Sequence, residues 1–477
     1  MTEEILNKQK AFFRSGKTLS VSYRKSALEN LKRTLVEMEG EINSALLSDL
    51  GKSSTEAYMC ETGMTLASLS HTISHLRSYS RRRRVRTPLA QFPARSYIIP
   101  EPYGNVLVMS PWNYPLLLTL SPAVSAVAAG NTVILKPSAY SPATSSVIRK
   151  IIGKAFPQEH VAVIEGGREV NSGLLEQKFD YIFFTGSKSV GRVVMGKASA
   201  HLTPVTLELG GKSPLIVDKD LKDLRTAARR TVFGKFLNCG QTCVAPDYAV
   251  VHEDIAEEFI ALCKEETVRM FGSAPLENPA YGKIVNRKHF DRLVSWLEEV
   301  GPSSGTAPAC RPGHAEILFG GGSDADTLKI EPTIVMAGSI DNPQSDSLTL
   351  MQDEIFGPVM PVLTYREIES VIKYIDERPR PLAAYIFTSD RHLERTLLER
   401  LHFGGGCVND TIIHLATEQM PFGGVGESGM GRYHGKYGFD TFTHFKSIVD
   451  KPLWLDLPMR YQPYSGLKER IIRLFLK

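Results

Sequence analysis

Between residues 20 and 50 the apolar positions Val21, Leu28, Leu31, Leu35, Ile42 and Leu46 recur at steps of three, four and seven. Those steps lay them on one face of a helix, and Gly51 stops the pattern. From residue 97 the texture changes to short apolar runs separated by glycine and proline: "YGNVLVMSPW", "NTVILKPS", "HVAVIEGG", "YIFFTGS" and "VTLELGGKSPLIV". Stretches of helical length, such as "SPATSSVIRKIIGKAF" and "SVGRVVMGKASAHL", lie between them. Continuous apolar runs are strands buried on both faces, and their alternation with helices predicts a parallel sheet covered on both sides. A second series follows residue 244, with "YAVVH", a helix near 254 to 271 and "AAYIFTS". The expected fold is α/β, with two doubly wound parallel-sheet domains.

Ligands of open α/β sheets bind beyond the carboxyl ends of the strands. The loops there are "SPWNYP", "KPS", "FTGSKSVG" and "ELGGKSP". "FTGSKSVG" follows a strand and opens a helix, so the backbone N–H groups of Gly186 and Ser187 can face a pyrophosphate. It is not the GxGxxG fingerprint, and glycine turns between strand and helix also occur without a ligand.

Composition narrows the class. The chain has 477 residues, 42% hydrophobic and 23% charged, which fits a globular protein with room for two or three domains. No run approaches the roughly 20 apolar residues that span a bilayer, and the acidic start "MTEEILNKQKAFF" does not read as a secretory signal. Six thinly spread cysteines make no disulfide framework, so a cytoplasmic protein with reduced thiols is expected. The net charge of +4 implies no acidic partner. The run "SRRRRVR", residues 80 to 86, is read as a solvated basic linker rather than a nucleic-acid contact, since no aromatics are interleaved with it.

The stretch "FLNCGQTCVAPDY" sets two thiols, Cys239 and Cys243, four positions apart. Zinc would need a second Cys/His cluster, which does not follow, and a CxxC redox pair has two intervening residues rather than three. No metal site is expected. A nucleophile, or two inert buried thiols, remains.

"SPWNYP", "VTLELGGKSP", "NCGQTCVAPDY", "EIFGPV" and "PFGGVGESGMG" stand in the order and spacing of the NAD(P)-dependent aldehyde dehydrogenase superfamily, which the chain resembles over nearly its whole length. "FPARSYIIPEPYGNVLVMSPWNYP", "VND" and "GMGRYHGKYGFDTFTHFKS" are similar to its dimeric class 3 and fatty aldehyde branch.

The resemblance implies a covalent chemistry. An aldehyde carbon gives up hydride only after a nucleophile has added to it, and a thiolate both adds well and later leaves from a thioester. Matching "GQTCVAP" makes Cys243 that nucleophile and Cys239 a bystander. The Asn113 side-chain amide and the Cys243 backbone N–H are implied as donors to the oxyanion, and Glu208 of "LELGG" as the base that activates water. Branches that pass the acyl group to coenzyme A typically lack this glutamate, so hydrolysis to the free acid is expected. For NAD or NADP the resemblance implies Lys136 and Ser138 near the adenosine ribose, and Glu354 on the nicotinamide ribose with Phe356 beside it. It places Trp112, Gly186, Ser187 and Gly191 in the same cofactor site.

Three features depart from the family pattern. Ala139 stands where a glutamate commonly follows "KPS"; residues 301 to 315 look like an inserted surface loop; and the tail "GLKERIIRLFLK" is a short amphipathic helix. The tail is expected to pack on the protein or a partner subunit rather than on a membrane. The expected organisation is an NAD(P)-binding domain over residues 1–81 and 101–209, and a catalytic domain over 210–430. A β oligomerisation element with the tail, over 82–100 and 431–477, is expected to make a homodimer. Two other classes stay open on residues alone: a cofactor-free thiol esterase, and a basic binding protein relying on residues 80–86.

Overall fold

A computed structural model describes residues 2–300, 315–342 and 346–476. The inserted segment anticipated at 301–315 lies outside the described residues, apart from its last position. Asn105–Met109, Thr132–Lys136, Val161–Val163, Tyr181–Gly186 and Val205–Leu209 form a parallel sheet. The order runs from Val205–Leu209 through Tyr181–Gly186, Asn105–Met109 and Thr132–Lys136 to Val161–Val163.

Period-two alternation sends neighbouring side chains of one strand to opposite faces. Val106 and Val108 join the core made with the helices Val21–Glu37, Gly63–Tyr79, Pro115–Ala129 and Pro142–Ala155. Leu107 and Met109 join the core on the other face, with the helices Thr2–Arg14, Arg168–Leu175 and Lys188–Ser199. This double cover explains why the strands read as unbroken apolar runs. The helical pattern of residues 20–50 is two helices, Val21–Glu37 and Glu39–Leu50, because Met38 leaves helical geometry at φ −104° and ψ 13°. Gly51 ends the second at φ 69°, where a side chain would be strained.

The second domain holds a seven-stranded sheet ordered Glu316–Phe319, Thr333–Ser339, Val359–Tyr365, Tyr248–His252, Pro214–Val217, Ala383–Phe387 and Gly405–Val408. Both sheets are mixed rather than purely parallel. Glu316–Phe319 runs antiparallel at the edge of the second, and Gly429–Met430 antiparallel to Val205–Leu209 at the edge of the first. The chain thus returns to the first domain before residue 430, and Tyr433, Phe439 and Phe442 complete that domain's core.

Arg83–Val85, Arg95–Pro102 and Thr443–Asp450 form a separate antiparallel sheet. Part of the basic run is therefore its exposed outer strand, not a linker. The tail forms the helix Gly466–Phe475, none of whose residues is fully buried. Ile471 and Ile472 are half-buried, and Lys468 Nζ donates to the Tyr461 and Pro463 carbonyls at 3.0 and 2.9 Å. No helix among the described residues is long and apolar enough to cross a membrane.

Candidate active site

In the first sheet the chain builds outward from Asn105–Met109 in one direction, then returns to its other side with Tyr181–Gly186. The gap at their carboxyl ends is the topological switch point, where a doubly wound sheet offers a crevice. Trp112 and Asn113 follow one strand, and Gly186 ends the other with Ser187 just beyond it. A cavity of about 1310 Å³ opens there and brings together Trp112, Asn113, Gly186, Ser187, Glu208, Cys243, Glu354 and Phe356. Lys136, Ser138 and Gly191 do not line it.

Cys243 follows a turn of unusual backbone. Asn238, Cys239 and Gly240 take φ of 52°, 54° and 70° in succession, left-handed values that strain the two residues with side chains. A Cβ on Gly240 would lie 2.2 Å from the Gly357 carbonyl, so only glycine lets the "EIFGP" segment approach this turn. The result separates the two thiols. Cys239 points into a buried cluster with Tyr281 and Ile284, whereas Cys243 is half-buried and lines the cavity. Burial pushes the Cys243 thiol up to about 12, and the nearby Glu354 and Glu208 carboxylates add to this.

Glu208 is 3% exposed, and neither of its carboxylate oxygens has a hydrogen-bond partner among the described residues. Burial alone holds its pKa well above the usual carboxylate range. Tyr433, also buried, feels the charges of both Glu208 and Cys243 and belongs to the same cavity. The Asn113 Nδ2 donates to the Gln241 carbonyl at 3.0 Å, while its Oδ1 is buried and unpartnered. A thiol, a desolvated carboxylate and a side-chain amide thus converge on one space, the set an acyl-transfer reaction uses.

Glu354 lies against the Gly210–Gly211 backbone just beyond Glu208. A Cβ on Gly210 would come within 2.0 Å of Glu354 Oε2, and the Gly211 N–H bonds to the carboxylate. Burial, reinforced by Asp247, pushes its pKa up to about 8. Phe356 meets Trp112 edge-on at 5.3 Å between ring centroids. Lys136 ends its strand in burial with Nζ donating to the Pro137 carbonyl at 2.7 Å, and its pKa falls to about 8. Ser138 Oγ accepts from the Tyr140 N–H at 3.2 Å, and Ala139 is exposed. Gly191 packs its helix close to the sheet, since a Cβ there would sit 2.8 Å from Leu209.

Several contributors were not anticipated. Lys212 pairs with Asp247 and donates to the Leu350 and Asp353 carbonyls, while Asp247 accepts from the Ile355 N–H at 2.9 Å. Together they hold the segment that carries Glu354. Their signal was present as a charge inside each of the apolar motifs "LELGGKSP" and "CVAPDY". His289 and Arg292 reach the cavity from the helix Arg287–Val300, which no local motif marked.

Two doubly wound sheets around a cavity that holds a thiol and a buried carboxylate define an α/β fold with one deep site. A family model described as "Aldehyde dehydrogenase family" matches residues 2–448, and the chain belongs to that family. It is an aldehyde dehydrogenase, of the class that oxidises aldehydes to acids. The 4,4'-diaponeurosporen-aldehyde dehydrogenase of Staphylococcus aureus is 45% identical to it over 468 residues, covering 98% of this chain and 97% of that one. The structure of Staphylococcus aureus AldH in a substrate-bound state superposes with a TM-score of 0.93 at 43% identity, covering 100% of both chains. A glyceraldehyde-3-phosphate dehydrogenase of Methanocaldococcus jannaschii complexed with NADP superposes with a TM-score of 0.81 at 26% identity. That match covers 94% of each chain.

Proposed function

We propose that the enzyme oxidises its aldehyde through a covalent adduct on Cys243, hydrolysed with Glu208 as base, and uses NAD or NADP. The observation that carries this reading is the pair of unpartnered Glu208 oxygens, buried in the cavity that also holds Cys243. A carboxylate kept dry and unbonded retains its full basicity for a water molecule. The Cys243 thiolate adds to the carbonyl carbon, and the oxygen takes the electron pair near the Asn113 amide and the Cys243 N–H. Collapse of that alkoxide expels hydride from the same carbon, for which a bound nicotinamide would supply the acceptor, and leaves the acyl group on sulfur as a thioester. Glu208 removes a proton from the attacking water, the C–S bond breaks, and the free acid and the thiol are released.

The residues present fit a nicotinamide dinucleotide. Ser187 caps the helix Lys188–Ser199, whose N-terminal N–H groups suit a pyrophosphate, and the glycine cradle at 210–211 holds Glu354 where two ribose hydroxyls could donate to it. When bound, the nicotinamide supplies the hydride acceptor. The NADP complex of the Methanocaldococcus relative supports this assignment. The same reading makes the chain a cytoplasmic homodimer. Support comes from the free state of all five described cysteines and from exposed Phe445 and Val449 on the edge strand Thr443–Asp450.

Two results are expected. In the free enzyme, inactivation by iodoacetamide accelerates about tenfold per pH unit between pH 7 and 9, because a thiol with so high a pKa ionises in proportion to hydroxide. A rate already flat at pH 7 would mean that the thiolate is preformed. The second result concerns the cofactor. NAD and NADP are expected to give kcat/KM values within about tenfold, equivalent to 1.4 kcal/mol, because Ala139 neither binds a ribose hydroxyl nor repels a 2′-phosphate. Glu165, the acid closest in effect to Lys136, is compensated by Arg149 at 2.7 Å. Ala139→Glu should shift preference toward NAD, chiefly by raising KM for NADP. A wild type favouring NAD more than about a hundredfold would refute this.

A further inference from the structure

Tyr58–Thr62 forms one π-helical turn between the helices Ser54–Ala57 and Gly63–Tyr79. Such turns are rare and gather at functional sites. This one carries Glu61, which is 0% exposed and paired at 2.6 Å with Lys52, itself 1% exposed. Two charges removed from water are stable only when further bonds satisfy them. Here those bonds converge on the chain around Asn113. Lys52 Nζ donates to the Asn113 carbonyl at 2.9 Å. The second Glu61 oxygen accepts from the N–H groups of Leu116 at 2.8 Å and Leu117 at 3.3 Å, in the first turn of the helix Pro115–Ala129. The Tyr114 ring between them lies 4.0 Å from Lys52 Nζ, and its hydroxyl is 2.6 Å from Thr242 Oγ1, beside Cys243.

A further strut comes from the strained turn. Asn238 Nδ2 donates to the same Asn113 carbonyl at 2.9 Å and to the Gln241 carbonyl at 3.1 Å, which the Asn113 side chain also uses. Asn238 is itself held by its N–H to Glu56 Oε1 at 3.1 Å. One buried network therefore ties the backbone of Asn113 to the turn that presents Cys243. We infer that Lys52 is a positioning residue for the reaction: with Glu61 it fixes the Asn113 backbone and so aims the side-chain amide at the substrate oxygen. The inference rests on the reading of Asn113 as an oxyanion donor.

The alternative is an ion pair that only stabilises the fold, and the test separates the two. Lys52→Met alone strands the Glu61 charge, so the informative variant is Lys52→Met with Glu61→Gln, which buries no charge and keeps an oxygen for the Leu116 and Leu117 N–H groups. Thermal melting, kcat and KM are measured on this pair, on Asn113→Ala and on the triple variant. The charge-free pair is expected to melt within a few degrees of wild type while kcat falls about a hundredfold for both aldehyde oxidation and ester hydrolysis. Its KM for the cofactor should stay within about threefold of wild type. In the triple variant the added loss over Asn113→Ala should be less than about threefold, because both changes remove one interaction.

Recovery of kcat together with stability in the charge-free pair overturns the inference, as do losses that multiply in the triple variant. Unchanged turnover in Asn113→Ala overturns the oxyanion reading itself. A loss there but not in the charge-free pair defeats the positioning role alone. Should the charge-free pair not fold, Lys52→Arg, which keeps the charge but moves the donor, takes its place with the same kcat criterion.

Discussion

Cys243→Ala is expected to abolish aldehyde oxidation and ester hydrolysis together, lowering turnover by about 10⁴-fold or more, because both need a covalent acyl–sulfur bond. Cys239→Ala should keep most activity. Its thiol faces Tyr281 in a sealed cluster, and the lost packing should appear as about 1 kcal/mol of stability rather than in kcat. Turnover with aldehyde and each variant, followed by cofactor absorbance, decides the matter. Comparable losses in both variants would mean that the strained turn, not one thiol, is what the reaction requires.

Glu208→Gln should separate the two halves of the reaction. Glutamine cannot take the proton of water, so the first turnover should proceed and the thioester should then persist. A burst of reduced cofactor equal to the enzyme, with steady turnover reduced about 10²–10⁴-fold, is expected in stopped flow. A missing burst would assign Glu208 to an earlier step, and an undiminished steady state would remove it from the mechanism.

The same variant should be more stable than wild type above acidic pH. Below the ordinary carboxylate pKa of 4.5, Glu208 is protonated in both the folded and unfolded chain, and its burial carries no ionisation penalty. As pH rises past that value the unfolded chain releases the proton while the folded one retains it, because burial has raised its pKa. Wild-type stability therefore declines by at most about 1.4 kcal/mol per pH unit until the folded pKa is reached. Glutamine does not titrate, so the melting temperatures should diverge from pH 5 upward. Parallel curves would show that Glu208 is ionised in the native state.

The chain's alternation of apolar runs and helical stretches determined the doubly wound domains, because a strand buried on both faces has no polar side to show. Val106 to Met109 illustrate this, each facing one of two helix layers. Edge features were less legible. Gly429–Met430 and Glu316–Phe319 are too short to carry a period, so their antiparallel pairing emerged only in the folded sheets. At the site, Cys243, Glu208, Asn113 and Glu354 became candidates through the resemblance of their ordered motifs to those of the family, since as isolated residues each reads equally as a structural one.

Which thiol faces the cavity was a tertiary decision, made by three left-handed residues that turn Cys239 inward. So was the choice of supports. Lys52 and Glu61 sit nine positions apart on separate segments, and nothing in that spacing marks a pair. Only packing the helix Pro115–Ala129 over them, and bringing the turn at 238–241 alongside from more than a hundred residues away, turns two ordinary charges into a fixed point for Asn113. A local pattern records what one segment must bury. Which distant groups satisfy a buried charge is settled only when the chain has folded around it.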